Sequence, residues 1–179
     1  MTMKYKLYGV VAEFTEAREV VEAAKRAYAQ GYRRMDAYTP FPVEDLAEAL
    51  GNKWTRVPLI VFTGGVVGAV GGYFMEWYSM AVDYPINVGG RPFNSWPAYI
   101  PITFELMVLC ASIAAIVGML VLNRLPRPHH PVFNVPEFER ASTDRFFLCI
   151  EARDPKFDPA ATRQFLQSLH PSSVKEVAE

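Results

Sequence analysis

Residues 57–122 read VPLIVFTGGVVGAVGGYFMEWYSMAVDYPINVGGRPFNSWPAYIPITFELMVLCASIAAIVGMLVL, two long apolar runs joined by a short turn rich in aromatic residues, Pro and Gly. From Val57 to Met75 there is no charged residue, and from Trp96 to Leu122 the only one is Glu105. A helix rises ~1.5 Å per residue, so about 20 such residues cross ~30 Å of hydrocarbon. Both runs are long enough, and two of them in so short a chain exceed what a soluble core needs. The reading is a transmembrane hairpin, with spans at about 58–82 and 97–122 and an outer turn at 83–96.

The remainder of the 179 residues leaves room for one small soluble domain. A net charge of −1 argues against a nucleic-acid partner, which normally requires a basic face. Met1 to Tyr8 is followed by amphipathic, acidic sequence without an apolar signal core, so the first span is expected to act as its own insertion signal. Lys53 and Arg56 precede the first span and Arg124 and Arg127 follow the second, whereas the turn carries only Arg91. Positive charge stays inside, which places both termini in the cytoplasm. Trp77, Tyr78, Tyr84, Trp96 and Tyr99 crowd the opposite end, as an aromatic belt does.

Outside the hairpin, periodicity and turn residues give six elements in βαβ order and one short extra helix. Lys6 to Phe14 reads as a buried strand, and Thr15 caps an amphipathic helix that stops at Gly31. Tyr32 to Tyr38 is a more polar, edge-like strand, and Val43 to Leu50 forms a short helix closed by Gly51. Beyond the second span, Leu125 to Pro136 contains four prolines and reads as an extended surface strap. Asp144 to Ala152 is the most apolar strand, Asp158 caps a helix running to about Leu169, and Ser173 to Val177 is a last polar strand. The order is strand, helix, strand, then strand, helix, strand, the split βαβ order of a ferredoxin-like sandwich with its first and third strands inside the sheet. The fold class is therefore an α+β membrane protein. Residues 1–56 form one half of a cytoplasmic ferredoxin-like domain, 57–123 the hairpin that interrupts it, and 124–179 the connector and second half.

Candidate functional residues lie in the spans. Gly64, Gly68, Gly72 and then Glu76 form an unbroken i, i+4 series, and small residues at that spacing let helix backbones approach closely in lipid. Ala111, Ala114, Ala115 and Gly118 offer the same in the second span, so the favoured packing is of one span on the other, with docking of the glycine row on another subunit as the alternative. Glu76 and Glu105 are the carboxylates within the spans, each roughly 10 to 14 Å from the outer turn along its helix. Such residues must face protein or water. If the small faces meet, Glu105 points outward with Ser112, Ile116 and Met119, toward a partner protein or a polar pathway. The two glutamates read as hydrogen-bonded anchors or as a proton relay; the short polar chain favours anchors.

Cys110 and Cys149 lack CxxC or CxxCH context, so neither a zinc site nor covalently attached haem is encoded. His129 and His130 have no identifiable third ligand and read as interfacial polar residues. There is no phosphate loop, nucleophile with a paired histidine, or redox-cofactor motif. No catalytic, cofactor-binding or metal-ligating residue is therefore assigned, and the chain is not expected to be an enzyme by itself.

Several blocks together, YGVVAEF, GYRRMDAYTPFPVEDL, VDYPINVGGRPFNSWPAYIPITFEL, HPVFNV and DRFFLCIEA, resemble the two-span ActD family, membrane components of bacterial alternative complex III, a quinol:electron-acceptor oxidoreductase. The resemblance implies a non-catalytic structural subunit without its own cofactor. It implies partners that include multi-span membrane subunits and multihaem cytochrome c and iron–sulfur subunits, with quinol as substrate of the complex. The hairpin and cytoplasmic domain would brace the membrane core, with Glu76 and Glu105 as candidates for assisting proton movement. The alternative is a freestanding membrane-anchored sensor or small-molecule-binding module.

Overall fold

A computed structural model describes residues 6–52 and 54–179. Lys53, read above as one of the basic residues flanking the first span, and residues 1–5, read as lacking a signal sequence, lie outside the described residues. The chain forms two compact units, one from the residues up to Trp54 together with those from Pro128 onward, the other from Thr55 to Arg127.

The first unit is built on a four-stranded antiparallel sheet, β1 (Leu7–Phe14), β2 (Met35–Tyr38), β3 (Phe146–Glu151) and β4 (Ser173–Ala178), in the order β2-β3-β1-β4. The two most apolar strands lie inside, as the sequence implies: Val10 pairs with Ile150 and Ala12 with Leu148. Helix α1 (Ala17–Gln30) starts one residue later than a Thr15 cap predicts. Glu19 Oε2 accepts the backbone N–H of both Thr15 and Glu16 at 3.1 Å, while the Thr15 hydroxyl is engaged with Ser172 and Arg145. Gly31 closes the helix at φ 101°, where a side chain would be strained. Helix α2 (Leu46–Ala49) is shorter than the expected 43–50, because Asp45 adopts φ 65° and breaks the turn before it.

β2 likewise begins at Met35 rather than Tyr32. The N–H groups of Arg33 and Arg34 go to Asp154 Oδ2, at 2.6 and 2.7 Å, and so leave the strand ladder. β3 begins at Phe146 rather than Asp144, whose carboxylate is held by Arg140 and whose N–H donates to the Arg140 carbonyl.

The sheet is covered on both faces. On one, Val10, Ala12, Phe14, Leu148 and Ile150 pack with Val20, Ala24 and Ala27 of α1 and with Leu166. Leu166 belongs to a further helix, Pro159–Gln167, capped by Asp158 Oδ1 accepting the Ala161 N–H at 2.7 Å. The opposite face, formed by Val11, Phe147, Cys149 and Val177, packs against Val132, Val135 and Phe138. These last residues come from the Pro-rich connector, which corrects the expectation of an open strap: it folds into 3₁₀ turns at Pro131–Asn134 and Pro136–Ser142. Proline suits the first position of such turns, because it has no N–H to satisfy there, and the apolar second face of β1 and β3 supplies the driving force. Each fully buried Val, Leu, Ile or Phe contributes roughly 1.5–3 kcal/mol.

The second unit contains the two helices long and apolar enough to cross a membrane. α3 (Val57–Trp77) continues as one π-helical segment, Tyr78–Asp83, and α4 spans Trp96–Leu122. Numbering in chain order, the helix at Pro159–Gln167 is α5. Large apolar side chains such as Leu59, Val67, Val70, Ile100, Leu109 and Val121 stand exposed around both. So extensive an exposed apolar belt is consistent with membrane association.

Candidate functional site

The candidate site is the seam of the hairpin. A Cβ placed on Gly68 would lie 2.8 Å from Cys110 Cβ and still closer to the Leu106 carbonyl oxygen. One on Gly64 would lie 3.0 Å from the Cys110 carbonyl oxygen, one on Gly72 3.2 Å from Thr103 Cα, and one on Gly118 2.9 Å from Ile60 Cγ2. Ala114 meets Gly64 from the other side. Gly64, Gly68, Gly72, Ala114 and Gly118 thus all line one seam between α3 and α4. Gly71 is different: nothing lies within 4 Å of its Cβ position. Gly65, passed over because it falls outside the i, i+4 row, also faces α4, at 3.7 Å from Ala111 Cβ.

The helices run antiparallel along the seam: Gly64 meets Cys110, Gly68 meets Leu106 and Gly72 meets Thr103, and Glu76, next in the row, also reaches Thr103. Glu76 is 7% exposed, and the Thr103 hydroxyl donates to its Oε2 at 3.4 Å. The sequence reading overlooked Thr103, although it lies two residues before Glu105 and therefore on another face of the helix.

Glu105 is exposed on the outer surface of the hairpin, and among the described residues it has no hydrogen bond or ion pair. The two carboxylates therefore differ in environment: Glu76 is turned into the seam, Glu105 away from it. Ser112, on the Glu105 face, gives its hydroxyl to the Val108 carbonyl of its own helix at 2.8 Å.

In the first unit the ionisable side chains are held for packing. Burial, with Asp36 and Glu151 behind it, pushes the Cys149 thiol up to about 12, so it stays protonated. The Tyr8 phenol is raised by burial and then by Glu151, that of Tyr38 by burial and then by Asp36. The Tyr8 hydroxyl lies 3.2 Å from His130 Nε2 and donates to Glu151 Oε1 at 3.3 Å. His130 packs edge-on against the rings of Tyr8 and Tyr38, while His129 is exposed. Burial pushes the Asp154 carboxyl up, but the N–H groups of Arg33, Arg34 and Lys156 outweigh it and hold the group below the usual carboxylate range. Among the described residues, no three His, Cys, Asp or Glu side chains gather as a metal-binding group.

A family model described as alternative complex III, ActD subunit, matches residues 8–176. Comparison with curated proteins gives no match.

Proposed function

The chain belongs to the ActD subunit family of alternative complex III, and from that premise we propose that it is a non-catalytic structural subunit that braces the membrane core of a quinol-oxidising complex. As a member of that family it is a membrane subunit of an electron-transport complex, with partner subunits of the same complex. We place it in the bacterial inner membrane as a two-span protein with both termini cytoplasmic. The first unit is then a cytoplasmic ferredoxin-like sandwich whose second and third strands are joined through the hairpin. Haem c and iron–sulfur clusters belong to partner subunits in this reading, and the multi-span subunits are its neighbours in the bilayer.

The observation that carries the bracing role is the hairpin itself, which lies within the residues the family matches and whose two spans pack closely along a glycine seam. The seam makes the two spans a rigid unit, and their outward faces are apolar surfaces for lipid and neighbouring helices.

Glu76 and Glu105 serve this role as anchors. A relay between them would need a polar path across α4, whereas Glu76 has Thr103 beside it within the seam and Glu105 faces the other way. Removing the chain from an expressing strain tests the bracing role. The haem and iron–sulfur subunits are expected to keep their spectra while the complex falls apart on a native gel; an intact complex with full quinol turnover would refute it. E105Q separates anchor from relay. An assembled complex that turns over quinol but has lost proton translocation would establish the relay.

A further inference from the structure

We propose that the Glu105 face of α4 docks a membrane-spanning helix of another subunit, one that presents an arginine or lysine side chain at the depth of Glu105. The proposal rests on the reading of the chain as a subunit of a complex, and it adds the chemistry of the neighbour.

The argument begins with position. Glu105 lies six residues inward from Tyr99, itself buried with its hydroxyl on the Phe93 carbonyl at 2.8 Å. At ~1.5 Å per residue this puts the carboxylate about 9 Å inside the aromatic belt. A glutamate side chain is too short to reach back to the headgroups from there, and a carboxylate facing acyl chains is strongly disfavoured. The rest of the face, Leu109, Ser112, Ile116 and Met119, is exposed and uncharged, with the serine hydroxyl bonded within its own helix. Such a face fits an apolar helix with one basic, donor-rich group, which supplies both opposite charge and several N–H donors.

The test places a photo-crosslinking amino acid at Leu109 in the full chain within its native membrane and maps the joined peptide. The expected product links Leu109 to a span of a different subunit that carries an arginine or lysine within one turn of the linked residue. E105K is expected to lower the yield of assembled complex by at least about tenfold, and changing the mapped basic residue to glutamate to restore it. Crosslinks to lipid alone, to a second copy of this chain, or to a span without a nearby basic residue would overturn the proposal. So would normal assembly of E105K, or failure of the paired reversal to rescue it. A tagged wild-type chain that brings down the complex while these tests fail would sink this inference and leave the proposed membership of the complex standing.

Discussion

Gly68→Ala tests the seam most sharply, because a single methyl group must enter a space bounded by backbone. Its Cβ would sit 2.8 Å from Cys110 Cβ, where ordinary contact begins at 3.4 Å, and closer still to the Leu106 carbonyl oxygen. A carbonyl fixed in a helix cannot swing aside. The helices must therefore part by about 0.6 to 1 Å, and a gap of that size forfeits a quarter to a half of the dispersion attraction of the atoms it separates. Overpacking of this kind costs about 1–3 kcal/mol. Gly71→Ala is the internal control, since its Cβ would meet nothing within 4 Å, and the gain in helix propensity makes it neutral or stabilising by up to about 1 kcal/mol. Steric-trap unfolding of the full chain in bilayer discs gives both energies, and spin labels at Phe62 and Ile113 give the helix separation. G68A is expected to be the less stable by at least about 1 kcal/mol, with a longer distance. Equal stabilities for the two variants would refute the seam.

The remaining predictions concern the first unit. Asp154→Ala leaves the amides of Arg33, Arg34 and Lys156 without their acceptor; a loss of about 3 kcal/mol in urea unfolding, with faster hydrogen exchange at Arg33 and Arg34, is expected. The Asp154 carboxyl is depressed in the folded state, so its contribution is complete above the unfolded value near ~4 and is lost as pH falls through the lower folded value. An acid-unfolding midpoint in D154N no higher than in wild type would count against that sign. Residues 1–56 expressed alone carry β1 and β2, whose partners β3 and β4 lie beyond the hairpin, so the fragment should be protease-sensitive; a stably folded fragment would contradict a split domain. Cys149 should resist iodoacetamide at pH 8 in the folded chain and react on unfolding, given its burial and raised thiol.

The sequence was legible where physics acts locally. Apolar runs, charge-free at 57–75 and carrying only Glu105 at 96–122, located the helices to within about two residues, and the apolarity of YGVVAEF and RFFLCIEA ranked β1 and β3 as interior strands. The i, i+4 spacing of Gly64, Gly68 and Gly72 puts them on one helix face, which is the face that meets α4. What stayed hidden depends on partners distant in sequence. Asp154 takes the amides that would have extended β2, and no local pattern at 32–34 reveals it. The second face of the sheet recruits the Pro-rich segment, whose composition alone reads as open chain. Thr103 becomes visible only once the register of α3 against α4 is fixed.

Gentle detergent extraction of a tagged full-length chain, followed by absorbance spectroscopy and subunit identification, tests the central claim most directly. The account predicts haem absorbance and large multi-span subunits in constant proportion to the tagged chain. A colourless homo-oligomer, free of those subunits, would contradict it and favour a freestanding membrane-anchored module.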